Sequence, residues 1–190
     1  ATFFLFCCGE ANDASTKIEG GPYGVFPDIV CPSASNENCL PIEGDFRVGA
    51  AAVKITPDLS KAESGWVDED NDGHFSSQEK FEDKNGNGEF EPVWMAGFGN
   101  GRPAVGVHSE LWARAAVFEH GHTRLGFVVL DLVGFFQNDI AAARKLISAD
   151  LELDHVVISS THVHEGPDTI GLWGRRELKS GVDLKYQEFV

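Results

Sequence analysis

Two histidines, His162 and His164, follow a short apolar stretch late in the sequence. That stretch, residues 156–158, is β-branched, which predicts a buried strand that ends in the polar residues after it. Ligands collect at the carboxyl ends of strands in open α/β sheets, and residues i and i+2 of an extended backbone point to one side. His162 and His164 could therefore reach one metal ion. The alternative is a polar strand end whose histidines only hydrogen-bond to the following loop.

A zinc ion is the metal that suits this pair, although the pair cannot hold it alone. A catalytic zinc takes about three protein ligands and leaves one position open for water, whereas the two histidines supply at most two. Other residues are candidates by residue type alone: His108, His120, His122, Asp131 and Asp168. Asp131 ends an apolar strand-like run, so we interpret it as a partner of the metal site, with a cap for the next turn as the alternative.

A second candidate site is an acidic stretch that matches the twelve-residue calcium loop at every position. Gly73 stands at the turn position and Phe75 at the apolar position after it. The ligand positions are filled by Asp68, Asp70, Asp72, His74 through its backbone carbonyl, Ser76 and Glu79. Four carboxylates this close repel one another unless a hard cation neutralises them. The stretch therefore predicts bound calcium, with a solvated acidic loop as the alternative.

A weaker copy of this loop follows directly. Its first ligand positions hold Asp83, Asn85 and Asn87, but Trp94 stands where the twelfth-position glutamate belongs. The second loop could share an ion with acids such as Glu89 or Glu91. Neither loop has long amphipathic helices on both sides, which argues against a calcium sensor. We interpret residues 66–94 as an insertion that lacks an apolar core of its own and depends on calcium for order.

The elements around these sites predict an α/β fold, a mixed sheet with flanking helices plus the calcium-loop insertion. Strands are expected at 48–56 and in a hairpin of 111–119 and 124–132. Helical spacing over 138–151 then leads back to the strand at 156–158. This right-handed crossover would place Asp131 and His162 at one sheet edge. The glycine-rich segment 94–102 is expected to form a tight backbone turn near the site.

Composition limits the classes of partner. With 190 residues and 42% hydrophobic content, the chain can bury the core of one domain. A net charge of −15 argues against nucleic acid and against electrostatic adsorption to anionic lipid.

The first residues predict export. Residues 1–8 are typical of the end of a secretory signal or of a lipoprotein signal, with Cys8 as the lipidated, membrane-anchoring residue in the second case. Residues 9–44 are expected to be a linker or irregular lead-in. In an exported protein Cys31 and Cys39 would form a disulfide. The expected location is the medium or the surface of a bacterial-type cell envelope.

Four stretches in order, 48–57, 106–118, 128–135 and 161–167, resemble segments of the neutral, non-lysosomal ceramidase family. The resemblance covers about residues 48–173 apart from the insertion. It implies zinc-dependent hydrolysis of the amide bond of ceramide, with His162 as a zinc ligand and His164 as a catalytic residue beside it. The chain departs from the family at Glu165, where a small polar residue is usual.

The resemblance also implies that residues 45–190 are the amino-terminal part of a catalytic domain. The remaining zinc ligands and the nucleophile would follow the histidine motif, so we expect the 190-residue chain alone to be an incomplete and inactive fragment. No protein partner is implied. One rival is another secreted metallohydrolase that acts on a different amide or ester. The other is a non-catalytic extracellular calcium-binding module whose histidines are structural.

Overall fold

A four-stranded mixed sheet runs through residues 44–190, the part of the chain that the computed structural model describes. Its strands lie in sequence order: β1 (Phe46–Lys54), β2 (Trp112–His120), β3 (Thr123–Leu130) and β4 (His155–Ser160). The first two pairings are antiparallel and the last, between β3 and β4, is parallel. The prediction of a mixed sheet with helices beside it is confirmed.

The hairpin of β2 and β3 turns at Gly121, which has a φ of 60°. A positive φ is one that glycine adopts without steric cost, which explains its place in this tight connection. The pairing of β1 with β2 continues one step beyond the strands, where the Ile55 amide donates to the Leu111 carbonyl oxygen at 2.9 Å. Residues 56–110, including both acidic loops, therefore leave and rejoin the sheet at one place.

The crossover from β3 to β4 contains helix α1 (Gln137–Leu146) and a short 3-10 helix (Ala149–Leu151). The helix is shorter than the expected 138–151 because Ile147 adopts an extended conformation, with ψ of 124°. Ser148 then begins the 3-10 helix by accepting a hydrogen bond from the Asp150 amide. The parallel register of β3 and β4, which ends at Leu130 and Ser160, nevertheless places Asp131 and His162 at one sheet edge, as predicted.

The core at that edge is closed by helix α2 (Leu184–Phe189). Tyr186 packs with Ile55, Leu130 and Leu132, all of them buried. Its hydroxyl donates a 2.7 Å hydrogen bond to the Ile55 carbonyl oxygen, and burial raises the pKa of Tyr186 above its usual value. The hydrogen bond satisfies a polar group that would otherwise be costly to bury.

The acidic segment has an aromatic core, so the expectation that it lacks one is wrong. Phe75, Phe90 and Trp94 are buried, and Trp66 and Phe81 pack against them. The ring centroids of Phe75 and Phe90, the apolar residues at position eight of the two loops, lie 4.6 Å apart. Contact between aromatic rings at this separation stabilises the pairing of the loops beyond area burial.

Several predictions fall on residues 1–43, which lie outside the described residues: the signal segment with Cys8, the lead-in and the Cys31–Cys39 disulfide. Within residues 44–190, none of the helices combines the length and the apolar character needed to cross a bilayer.

Candidate metal sites

His162 lies just beyond β4, where pairing with the β3 side continues. The amides of Thr161 and Val163 donate to the carbonyl oxygens of Leu130 and Leu132, at 2.9 and 3.3 Å. Between them His162 has a φ of 58°, so the expectation of an extended backbone at this residue is wrong. The ring centroids of His162 and His164 still lie 5.3 Å apart.

The ring of His162 is oriented by a single backbone group. Its Nδ1 lies 2.6 Å from the carbonyl oxygen of Val133. Because a carbonyl oxygen only accepts, Nδ1 carries a proton, and in the neutral imidazole the lone pair is then on Nε2. Metal-binding histidines are oriented in this way, since the hydrogen bond fixes both tautomer and ring direction.

His164 lies in an aromatic surrounding. Its ring centroid is 5.4 Å from that of Phe98 and 6.0 Å from that of Trp173. Gly97, with a φ of 87°, passes so close that a Cβ there would lie 2.6 Å from Cγ of His164. The expectation of a tight glycine turn near the site is confirmed.

Glu165, where the chain departs from the ceramidase pattern, forms an ion pair with Arg102. One guanidinium nitrogen of Arg102 lies 2.9 Å from each carboxylate oxygen, and another donates to the Gly97 carbonyl oxygen at 3.1 Å. The Arg102 side chain also lies over the ring of Phe98. The turn and the histidine segment are thereby joined by charged and backbone hydrogen bonds.

Asp168 proves to be a structural residue. It is 1% exposed, and its carboxylate accepts five backbone hydrogen bonds, from Ile170, Gly171, Leu172, Trp173 and Gly181. Five donors on one carboxylate satisfy a buried charge that would otherwise be expensive. The loop that carries Trp173 to His164 is therefore fixed by Asp168.

Asp131 is already partnered. Its Oδ2 accepts hydrogen bonds from the amide of Trp112 at 3.0 Å and from Arg114 at 2.7 Å. These bonds join β3 to β2, and a role at the metal remains a prediction. Among residues 44–190, only Asp68, Asp70 and Glu79 form a group of three histidine, cysteine or acidic side chains within metal-binding reach.

That group belongs to the first acidic loop, where the three ligand atoms lie within 4.8 Å of one another. Glu79 is buried, and its carboxylate accepts from the amides of Glu69 and Ser76, at 3.1 and 2.7 Å, and from the Trp66 indole. The amides of positions two and nine are thus both bound by the glutamate of position twelve.

The negative charges of the first loop repel one another. The hydrogen bond from the Asp72 amide lowers the pKa of Asp70, but desolvation and repulsion from Asp72, Glu79 and Asp68 outweigh it and raise that pKa. The Ser76 amide holds the pKa of Glu79 below its usual value. A cation would relieve the repulsion at Asp70.

The second loop, like the first, is held by hydrogen bonds from backbone amides to side-chain carboxylates. Asp83 accepts from the amides of Gly86 and Gly88 at 2.7 and 2.8 Å, and the Gly88 bond is the main reason that the pKa of Asp83 is lowered. The side-chain amides of Asn85 and Asn87 both donate to Glu91. Glu89 and Glu91 are the two acids expected to share an ion with this loop. Of these, Glu91 is the one that the structure places beside the two asparagines.

Sequence reasoning missed the residue that completes the second loop, Glu63. This buried side chain accepts from the amides of Lys84 at 3.0 Å and Glu91 at 2.8 Å. Those amides are positions two and nine of the loop, the same pair that Glu79 binds in the first. Glu63 therefore occupies the place of the absent twelfth-position glutamate, although it precedes both loops in the chain.

Comparison with known proteins gives few likenesses. No protein-family model and no curated protein matches the chain. Solved structures similar to it include the neutral ceramidase from Pseudomonas aeruginosa and a ceramidase complexed with C2. Each is 24% identical over 67% of this chain, with a TM-score of 0.36. The chain spans 16% of the length of those proteins.

Proposed function

We propose that this chain is the amino-terminal part of a zinc-dependent amidohydrolase that cleaves the N-acyl bond of ceramide to a fatty acid and a sphingoid base. The observation that carries the proposal is the oriented ring of His162, whose Nδ1 donates to Val133 and whose Nε2 is left for a metal. It coincides with the motif at residues 161–167 that resembles neutral ceramidases.

The two histidines would have different roles. His162 would supply one zinc ligand, and His164 would hydrogen-bond near the substrate oxygen. Bound zinc polarises an amide carbonyl and activates water for attack. The aromatic rings of Phe98 and Trp173, which contact that of His164, would supply apolar contacts beside that oxygen.

An apolar substrate suits the surface beside the histidines. Phe98, whose ring contacts that of His164, is 69% exposed, and Leu172, the residue before Trp173, is 60% exposed. Exposed apolar side chains grouped beside a polar centre favour a ligand with a long hydrocarbon part. This observation favours a lipid amide over the small amides and esters of a different metallohydrolase.

Calcium is the second cofactor of the proposal. The two acidic loops share one pattern of backbone hydrogen bonds, and each has a buried glutamate across positions two and nine. We propose one calcium ion in each, with a structural role. Export, the Cys31–Cys39 disulfide and lipidation of Cys8 stay predictions from the sequence.

The test is metal content, measured by plasma mass spectrometry on this chain and on the longest natural form of the protein. We expect about one zinc per longer chain, lost in His162→Ala and kept in His122→Ala, a matched control in the β2–β3 turn. Calcium should persist in every form. Hydrolysis of labelled ceramide would then be compared with that of short N-acyl amides and esters.

Two results would contradict the proposal. Calcium without zinc in both lengths would favour the non-catalytic calcium-binding module. Zinc together with cleavage of short amides or esters, but not of ceramide, would favour the other metallohydrolase.

A further inference from the structure

His74 connects the first acidic loop to the glycine turn. Its Nδ1 donates to the Asn100 carbonyl oxygen at 2.7 Å. The ring lies so close to the turn that a Cβ on Gly99 would be 3.0 Å from its Cε1. The next residue, Phe75, donates its backbone N–H to the carbonyl oxygen of Gly101. Loop and turn are therefore held together at two successive residues.

The same turn forms one wall around His164. It carries Phe98, whose ring is 5.4 Å from that of His164. It also contacts both flanks of the second aromatic neighbour, Trp173. The side chain of Asn100 donates to the Leu172 carbonyl oxygen at 2.8 Å, and the Gly101 amide donates to that of Gly174, also at 2.8 Å.

The turn needs such partners because its backbone is intrinsically free. Gly97, Gly99 and Gly101 all have positive φ, and Phe98 between them has a φ of 55°. Glycine loses the most conformational freedom on ordering, and a bulky residue at positive φ is strained. Hydrogen bonds from outside the turn must therefore hold it in this conformation.

We propose that His74 is a positioning residue for His164, acting through Asn100 and the turn 97–102. The proposal rests on the proposed function, in which His164 works beside the zinc. The backbone carbonyl of His74 is also the seventh-position group of the calcium loop. Calcium binding would thus stabilise the same ring that holds the turn, and the two sites would be coupled.

The test uses the whole chain and the ring resonances of His164 in proton–carbon NMR spectra, which sense the ring currents of Phe98 and Trp173. His74→Leu removes the donor and should eliminate most of the ring-current shift of His164. His74→Asn keeps a side-chain donor at the position of Nδ1 and should restore most of it. His122→Leu, in the remote hairpin turn, is the matched control and should change nothing.

The second part of the test is the response of the His164 signals to calcium. Adding calcium to the wild-type chain should shift and sharpen the His164 signals, and His74→Leu should abolish that response while calcium is still bound, as measured by calorimetry. If His74→Leu does not fold, His74→Phe replaces it, because a phenyl ring fills a similar volume and has no hydrogen-bond donor. Either variant should displace the His164 signals while the β2 and β3 signals stay in place.

Unchanged His164 signals in a folded variant would overturn the proposal, as would a calcium response that survives in His74→Leu. A wild-type chain that binds no calcium, or binds it without any change at His164, would overturn the coupling as well. None of these readouts involves zinc. A protein that passes them but holds no zinc would refute the proposed function alone.

Discussion

The two acidic loops reach the same backbone arrangement from different parts of the sequence. In the first, the glutamate that binds positions two and nine comes from position twelve of the loop itself, Glu79. In the second it comes from Glu63, which precedes both loops. The difference teaches that a loop with an incomplete motif can be completed by a residue from outside the loop.

The largest effect is expected from converting the second loop to a complete local motif. Trp94→Glu would restore the twelfth-position acid, but Trp94 is 7% exposed and packs against Phe75 and Phe90. We expect the free energy of unfolding to fall by about 3–5 kcal/mol, as for other buried aromatic residues. Chemical denaturation of the chain would measure it.

Phe136→Glu is the matched control, because Phe136 is 57% exposed. Its free energy of unfolding should change by about 0.5 kcal/mol or less. A Trp94→Glu chain that keeps its stability and binds calcium more tightly would refute the assignment of Glu63.

A smaller effect is expected from replacing each of the two glutamates, Glu63 and Glu79, by glutamine. Glu63→Gln and Glu79→Gln should each weaken calcium binding at one loop by about tenfold, the change that about 1.4 kcal/mol of lost interaction produces. The reason is that a side-chain NH₂ group cannot accept from the second backbone amide. Calorimetric titration of the full chain would resolve the affected site.

The control for this pair is Glu89→Gln, a substitution at position seven, where the calcium loop uses only the backbone carbonyl. It should leave both affinities unchanged. Equal calcium binding by wild type and Glu63→Gln would show that the second loop works without its distant acid.

The smallest effect is expected from exchanging the residue types at position three of the two loops. Without calcium at neutral pH, Asp70→Asn should raise Tm by about 2 °C and Asn85→Asp should lower it similarly. Repulsion from Asp72, Glu79 and Asp68 is the reason in the first loop. Excess calcium should reverse both signs, because the carboxylate lost in Asp70→Asn or gained in Asn85→Asp is then a ligand of the ion. Scanning calorimetry with chelator and with calcium would measure the four values.

The pH dependence of this exchange has a defined sign. The pKa of Asp70 is raised in the folded chain, so its destabilising charge is lost as pH falls through that pKa. The advantage of Asp70→Asn should therefore shrink on acidification. Asp83 behaves oppositely, because its lowered pKa means that its contribution is lost as pH falls through the folded value. An advantage for Asp70→Asn that grows in acid would contradict this account.

The sequence predicted those parts of the fold that local patterns determine. The turn at Gly121, the individual strands and the acidic cluster of the first loop all follow from residues close together in the chain. Contacts between distant residues were not predictable. Glu63 lies about twenty residues or more before the amides that it accepts from, and Asp168 shows no motif although it accepts five amides.

The error at His162 has the same origin. Periodicity predicts an extended residue there, but the amides on both sides donate to the β3 side of the sheet and leave His162 at positive φ. A strand-end conformation of this kind depends on the partner strand. The pairing of Glu165 with Arg102 likewise requires the glycine turn to be in place.

The hydrogen bond between Ile55 and Leu111 brings the two ends of residues 56–110 together at one point of the sheet. The chain leaves the sheet and returns to it at adjacent residues, so the cost of closing this connection grows only slowly with its length. Segments of different size could be exchanged here without altering the strand register. Any exchange must nevertheless keep residues 94–101, because their backbone is hydrogen-bonded to residues 165–174 beside the histidines.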